Sequence, residues 1–402
     1  MGGIATINCG NSGSETLIGG LCLGGYGGMA KVQRVLIVGG GIAGMSCAIQ
    51  MRKAGLGVDL VEIDPQWRIY GAGITITGPT LRALRNLGVL EQVLAVGATW
   101  QGAKIHDKNG TLLQEVTFPS LGDGLPTTGG VMRPLLHKVL STQTLASGAN
   151  VRLGTTLTQL VEKPTHAEVT LSDGSRADYD LVVGADGIFS KLRELVFPQA
   201  ARPVFTGQVI YRLVAERPPG FDRSYFYMAE HGKVGFSPVS PTHMYMFLLH
   251  SVSGSPWVEP QDQPQRLYDA MAGYGGIVPE IRSTVLTTNI ETVNYRPLEV
   301  VLHPAPWHRG HVVLIGDTAH ATTPHLASGA GMAIEDGIVL AEELAAQDLD
   351  GALAKFMSRR FERCRMVVEN SVRLGQIEME HGSPVEHTRL MTETLGMLRQ
   401  PI

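Results

Sequence analysis

Three groups of residues in this chain have types and spacing that could do chemistry. Gly39, Gly41 and Gly44 stand in G-x-G-x-x-G spacing, and Glu62 follows at the end of the next apolar run. A glycine at the first position permits a tight turn, one at the second lets backbone approach a diphosphate, and one at the third lets a helix close on a strand. The diphosphate then sits at the positive end of that helix, and a strand-end carboxylate accepts ribose hydroxyls. The second group is Asp186-Gly187, which follows the apolar run Leu181–Val183. A carboxylate there can take a sugar hydroxyl while backbone stays close, although an ordinary Asp-Gly turn fits the same two residues. In the third group, Asp317 follows Gly316 after the run Val312–Ile315, and Gly329-Ala330-Gly331 opens a helix-like stretch carrying Glu335 and Asp336. Small residues at a helix start leave their N–H groups open to an anion.

The elements that must position these residues are legible in the same stretches. Val35–Val38 reads as a buried parallel strand, Met45–Lys53 as a helix closed by Gly55, and Val58–Ile63 as a second strand. With 49 glycines the triplet alone could arise by chance; strand, turn, helix, strand and terminal acid together are a much stronger pattern. Residues 67–74, which include Gly71 and Gly73, form a glycine-bearing turn into a short strand. Leu81, Leu84, Leu87 and Leu90 make a helical stripe over Thr80–Val96, interrupted at Gly88. Asn109-Gly110 marks a hairpin within 104–128, and Met132–Leu145 is a helix with Arg133 and Pro134 at its start. Val151–Leu171 reads as two strands, with an Asp173-Gly174 turn between antiparallel partners. From Pro203 to Asn294 the runs Gln208–Val214, Tyr225–Tyr227, Val234–Ser237 and Met244–Leu249 indicate an antiparallel sheet with one face over a cavity, and Gln261–Tyr274 indicates a helix. The tail from Asp350 reads as helical, with Arg359, Arg360, Arg363 and Arg365 on a solvated face.

The 402 residues suit two domains, and 44% hydrophobic with 17% charged content describes an ordinary globular chain. A net charge of −4 excludes a basic footprint for nucleic acid or an anionic membrane, and no apolar run reaches the length of a membrane span. Cys9, Cys22, Cys47 and Cys364 show neither C-x-x-C nor zinc spacing, so no metal is expected and a reducing, cytoplasmic setting fits. Residues 1–28 are rich in Gly, Ser and Asn and lack the basic start of a secretory signal; they read as a flexible leader before Met29.

In this order, the three motifs between Gly39 and Asp336 resemble the single-component FAD-dependent aromatic hydroxylases, which include 4-hydroxybenzoate, salicylate and 3-hydroxybenzoate hydroxylases. The resemblance covers most of residues 32–345. It implies an α/β fold: a Rossmann-type FAD-binding domain interleaved with a mostly antiparallel β-sheet substrate domain, plus C-terminal helices. The implied division is 29–72, 129–198 and 294–345 for FAD, 73–128 and 199–293 for substrate, and 346–402 for the helical segment. Gly39, Gly41 and Gly44 would bind the FAD diphosphate and Glu62 the adenosine ribose. Arg133 would contact the cofactor, and Leu157 would offer a backbone group to the adenine. Asp186 would help hold FAD and take part in NAD(P)H use, and Asp317 would bind the ribityl chain. Gly329, Ala330 and Gly331 would present N–H groups to the flavin N1/C2=O edge, where reduction builds negative charge. Two departures are visible: Ile63 stands where many members have a basic residue after the strand-end acid, and Ala327-Ser328 replaces the residues relatives often carry in that loop.

The implied reaction uses NADPH or NADH to reduce FAD; O2 adds at C4a, and the flavin hydroperoxide passes one oxygen to a small aromatic substrate. Such a site must exclude water and aim the ring, and the cofactor carries the hard chemistry. Pro324 and His325 would line that side. Tyr211 could hydrogen-bond a phenol and Arg212 hold a carboxylate, while strand packing for the first and an interdomain role for the second fit as well. His231, His243, Tyr227 and Tyr245 are further candidate pocket liners. A homodimer is a compatible assembly. Competing outcomes on the same fold are epoxidation, Baeyer–Villiger insertion, halogenation and isoprenoid saturation; the W-x-W-x-I-P pattern of flavin halogenases is absent. A non-catalytic nucleotide-binding protein is disfavoured by the intact acids Glu62, Asp186 and Asp317, and a disulfide reductase by the lack of a redox cysteine pair.

Overall fold

Val35, Ile37, Leu60, Leu181 and Val183 point to one face of a parallel sheet; Leu36, Val38, Val61 and Val182 point to the other, and all are essentially unexposed. A strand buried on both faces carries near-continuous aliphatic sequence, which is why these runs do not alternate with polar residues. The computed structural model describes residues 32–69, 71–230, 232–254, 257–287 and 292–402. The leader 1–28, Tyr70 in the glycine-bearing turn and His231 lie outside the described residues.

The sheet has six strands in the order His308–Arg309, Val312–Leu314, Leu181–Gly184, Arg34–Val38, Gly57–Glu62, Asn150–Leu153, all parallel except the first pair. One face carries the helices Ile42–Lys53 and Gly329–Ala346 with the long helix Leu349–Met379 behind them. The other face carries a three-stranded sheet, Arg176–Tyr179, Ala167–Leu171 and Leu157–Glu162, and the helix Lys191–Val196. The first two helices meet closely because a Cβ at Gly337 would lie 2.7 Å from the Cys47 amide nitrogen. Cys47 is a buried free thiol.

A seven-stranded sheet forms the second half: Asn294–Val300, Val204–Glu216, His243–Ser251, Gly232–Pro238, Ser224–Ala229, Ala103–Asp107, Leu112–Val116. All pairs are antiparallel except Ser224–Ala229 with Ala103–Asp107. Its first strand, Asn294–Val300, comes from the stretch expected to open the last FAD segment. One face packs Val209, Tyr211 and Leu213 against the helices Gln263–Ala270 and Val278–Val285. The other face presents Ile210, Leu249 and Leu298, with Phe247 beside them. A small sheet of Gly73–Thr77, Thr128–Met132 and Ala98–Trp100 lies between the halves in sequence.

The leucine stripe from Thr80 resolves into two helices, Gly78–Leu87 and Leu90–Val96, because Gly88 turns left-handed at φ 80° and caps the first. The C-terminal arginines correct the expectation of a solvated face. Arg360 is 0% and Arg363 8% exposed, whereas Arg365 stays at the surface between Glu362 and Glu369. A 31-residue helix turns all its faces to something, and the side holding Arg360, Arg363 and Cys364 faces the carboxylates of Glu335 and Asp336.

Candidate functional site

The dinucleotide turn is built from backbone. Gly39 has φ 109°, its N–H donates to the Val61 carbonyl at 2.8 Å, and a Cβ there would fall 2.2 Å from the Ala185 oxygen. A Cβ on Gly44 would fall 1.9 Å from the Gly39 oxygen, so helix and turn can meet only with glycine at that position. Gly41 is the N-cap of the helix Ile42–Lys53, makes no side-chain cap and has open space where its Cβ would be. Uncapped N–H groups at an open helix start suit an anion. Glu62 ends its strand as expected, and its two oxygens accept from the N–H groups of Gly40 at 2.7 Å and Asp64 at 2.8 Å. A carboxylate has about four acceptor directions, so capacity for ribose hydroxyls remains. Leu157 opens a strand of the three-stranded sheet and is half-buried.

Asp186 organises its own turn. It accepts from Ser190 Oγ at 2.5 Å and the Leu192 N–H at 3.1 Å, and it lies 3.4 Å from Thr318 Oγ1. Thr318 in turn accepts from the Gly187 N–H at 2.9 Å, so the Asp186 and Asp317 turns are tied together. Arg193, 1% exposed, adds a second tie by donating to the carbonyls of Thr318 and Ile188, both at 2.7 Å. Its place just after Asp186 was the available signal, since a buried arginine next to a ligand turn must be satisfied by carbonyls or acids.

Asp317 starts the short helix Asp317–His320 after Gly316, whose φ of 58° with ψ of −145° is a glycine conformation. Among the described residues its carboxylate makes no hydrogen bond, and the residue is exposed. Partial desolvation by the surrounding protein pushes the carboxyl above the usual carboxylate range, with His320 and Arg133 opposing. The Arg133 guanidinium also makes no hydrogen bond or ion pair among the described residues. Burial lowers its pKa, Arg212 lowers it further, and Asp317 opposes, so both Arg212 and Asp317 lie within electrostatic reach of Arg133. The helix Gly329–Ala346 begins after Ser328, which spends its hydroxyl on the Leu326 carbonyl and leaves the N–H groups of Gly329, Ala330 and Gly331 uncapped.

Behind these turns lies the charged core that sequence reasoning missed. Asp336 accepts from the Gly316 N–H at 2.8 Å, His320 Nε2 at 2.6 Å and Arg360 Nε at 2.8 Å. Burial would raise the Asp336 carboxyl, but His320 and Arg360 outweigh it and hold it low. Burial likewise disfavours the His320 cation, and Cys364 and Asp336 outweigh it, so the imidazole stays protonated well above its ordinary range. Glu335 takes both Arg360 (2.7 Å) and Arg363 (2.9 Å). His320, Asp336 and Cys364 hold ligand-type atoms within 4.8 Å of one another, but the Arg360 guanidinium bonds into the same cluster and its positive charge opposes a cation there. The available signal was Glu335-Asp336 on one apolar helix and Arg360 with Arg363 on another: buried acids require partners.

On the substrate side the structure separates the expected pair. Tyr211 points into the core under the helices, 4.9 Å from the Tyr295 ring, and burial pushes its hydroxyl up to about 12. Arg212 points to the opposite face, where Nε donates to the Tyr245 hydroxyl at 3.2 Å and, among the described residues, neither Nη makes a hydrogen bond. Neighbouring residues on a strand face opposite ways, so one pair cannot serve one pocket. Tyr227 is also core, stacked 4.8 Å from His106. His243 is exposed at a turn beside Thr242. Pro324 opens the turn Pro324–Leu326. His325 turns away from the open side: its side chain is 1% exposed, with Nδ1 at Thr323 Oγ1 (2.9 Å) and Nε2 at 3.5 Å from Glu378. Of the substrate candidates, Arg212 and Tyr245 therefore lie within electrostatic reach of Arg133.

These residues fit an FAD. Two uncapped helix starts suit anionic or electron-rich edges, and among the described residues Arg133 and Asp317 make no side-chain hydrogen bond or ion pair. Comparison with known proteins agrees. The family described as FAD binding domain matches residues 32–373. The chain is 35% identical to 2-heptyl-3-hydroxy-4(1H)-quinolone synthase of Pseudomonas aeruginosa over 354 residues, covering 86% of this chain and 90% of that protein. It is 29% identical to aurachin C monooxygenase/isomerase of Stigmatella aurantiaca, covering 85% and 89%. The fold is similar to that of Klebsiella pneumoniae HpxO complexed with FAD and uric acid, with a TM-score of 0.79 and 23% identity, covering 92% and 93%.

Proposed function

We propose, for a chain that belongs to the FAD binding domain family and is an FAD-dependent monooxygenase, that its substrate is an aromatic or heteroaromatic ring bearing an ionised or hydrogen-bonding oxygen, received by Arg212 and Tyr245. The observation that carries this reading is the unused pair of Arg212 Nη groups on the same face as Tyr245, within electrostatic reach of Arg133. A planar guanidinium with free donors matches a carboxylate, a phenolate or a ring carbonyl. The quinolone named for one relative has such a ring oxygen, which supports the reading.

Bound FAD supplies the activation of O2 and the delivery of one oxygen atom, with NADH or NADPH as the electron source. In this reading Gly39, Gly41 and Gly44 receive the diphosphate, Glu62 the ribose and the Leu157 backbone the adenine. Asp317 and Arg133 hold the middle of the cofactor, and Asp186 keeps the turn that carries Thr318. The N–H groups of Gly329–Gly331 stabilise negative charge where the cofactor gains electrons. Ile210, Leu249 and Leu298 keep water from the facing sheet. Segments 29–72, 129–198 and 294–345 act as the cofactor part and 73–128 with 199–293 as the substrate part, except that the strand Asn294–Val300 pairs into the substrate sheet. Cys47 and Cys364 are buried free thiols, which supports a reducing, cytoplasmic setting; a homodimer is part of the same reading. Among the described residues no helix is long and apolar enough to cross a membrane.

The test is NADH and NADPH oxidation with O2 uptake by the purified holoenzyme, against neutral arenes, phenols, aromatic acids and quinolones. Strong stimulation by rings with an acidic or carbonyl oxygen, with oxygenated product, is expected. Stimulation by neutral apolar rings alone would overturn the reading.

A further inference from the structure

The fingerprint asks for glycine at positions 39, 41 and 44, yet position 40 is glycine too. The reason lies in the loop after Glu62. A Cβ on Gly40 would fall 2.4 Å from Trp67 Nε1, and that indole N–H donates to the Gly40 carbonyl at 2.8 Å. From the other side, the Gly40 N–H donates to Glu62 at 2.7 Å. Side chains thus hold both backbone groups of Gly40.

The loop that carries Trp67 is itself tightly built. Glu62 accepts from the Asp64 N–H at 2.8 Å, Asp64 accepts from the Gln66 N–H at 2.9 Å, and Arg68 Nε bonds the same carboxylate at 3.0 Å. Trp67 sits at φ 48°, a left-handed conformation that bulky residues rarely adopt, and its ring meets His137 edge-on at 5.6 Å. A residue held so against its preference is held by its contacts.

We propose that Trp67 is a positioning residue for the cofactor turn, fixing the Gly40–Gly41 peptide before FAD binds. A peptide unit is planar and trans, so its C=O and the next N–H point in opposite directions. Holding the Gly40 carbonyl against Trp67 therefore aims the Gly41 N–H at the open side, where the diphosphate is received. Preorganising a donor removes the cost of ordering it on binding. The inference rests on the reading of Gly39–Gly44 as the diphosphate turn.

The experiment measures FAD affinity by flavin fluorescence as apoprotein is reloaded, together with the rise in Tm that FAD confers. Trp67→Phe keeps a ring and loses the donor; it should weaken FAD by about tenfold, the equivalent of one ordinary hydrogen bond. Gly40→Ala should weaken FAD further because it drives the methyl into the indole. Gly40→Ala in a Trp67→Ala background should bind FAD better than Gly40→Ala alone, a rescue that general destabilisation does not produce. Gly41→Val serves as the reference. If it binds FAD as wild type does, the turn is not the diphosphate site. If it loses FAD while Trp67→Phe binds normally, or if the double variant shows no rescue, the positioning role is overturned.

Discussion

At the parallel sheet, the groups that meet a ligand in the proposed reading are backbone amides at two helix starts, after Gly41 and at Gly329–Gly331, flanked by the acids Glu62 and Asp317. At the seven-stranded sheet they are side chains, Arg212 and Tyr245, whose usefulness depends on which way a strand faces. The first arrangement has little freedom, because a glycine that admits a close contact fixes where the next N–H goes. The second can be changed by a single substitution without disturbing the backbone. In the proposed reading the cofactor turn thus relies on backbone, and substrate selection on side chains. The backbone half also needs rigid support, which the buried Arg360–Asp336–His320 cluster provides from behind.

The comparison predicts effects of graded size. The largest belongs to Arg360. Arg360→Met strips Asp336 and Glu335 of a buried partner, and losing one side of such a pair typically costs about 3–5 kcal/mol. Thermal unfolding should show the loss, and FAD affinity should fall with it because Asp336 holds the Gly316 N–H. Unchanged FAD affinity in the folded variant would break the link between support and turn. Gly44→Ala is next: a methyl 1.9 Å from the Gly39 oxygen forces the helix off the turn, an overpacking cost of about 1–3 kcal/mol. Flavin content of the purified protein should drop, while the far-UV circular dichroism stays that of a folded chain.

A pH effect sharpens the same contrast. His303 is buried beside Phe197, its backbone N–H donating to the Ala319 carbonyl and its Nδ1 accepting from the Ala201 N–H at 3.4 Å, and burial pushes its imidazole down to about 4. Its folded pKa lies below the unfolded value, so the neutral ring's contribution is complete above the ordinary histidine range. That contribution is lost as pH falls from there through about 4. Urea midpoints of His303→Gln should fall less steeply over that window than those of wild type; parallel curves would contradict this assignment. The smallest effect is at Arg365, exposed between two glutamates one helical turn away. Arg365→Ala should leave the urea midpoint unmoved, in contrast to Arg360 five residues earlier on the same helix.

The uneven legibility of the chain follows from the same physics. The strands Arg34–Val38 and Leu181–Gly184, the turn at Gly39–Gly44 and the helix starting at Arg133 are local, and their glycine, proline and aliphatic signals sit where the elements form. The acids Glu62, Asp186 and Asp317 could be placed because strand ends gather ligands in this architecture. Strand parity at Tyr211–Arg212 could not be read, because both faces of that strand are covered by apolar residues. The arginines of the long helix were unreadable for a different reason. Their partners are buried acids some 25 residues earlier, and a charged residue pattern looks the same whether it meets water or a buried carboxylate. His325 was misleading through its neighbour Pro324: closeness in sequence does not set the direction of a side chain that lies 3.5 Å from Glu378.

The most direct measurement is the Arg212→Met holoenzyme, read for both FAD affinity and substrate-stimulated O2 uptake with product analysis. The account predicts wild-type FAD affinity and a loss of kcat/KM for acidic rings of about a hundredfold, the order expected when one partner of a desolvated charge pair is removed. Full stimulation by the same rings in Arg212→Met would contradict it, as would a loss of FAD with substrate selection intact.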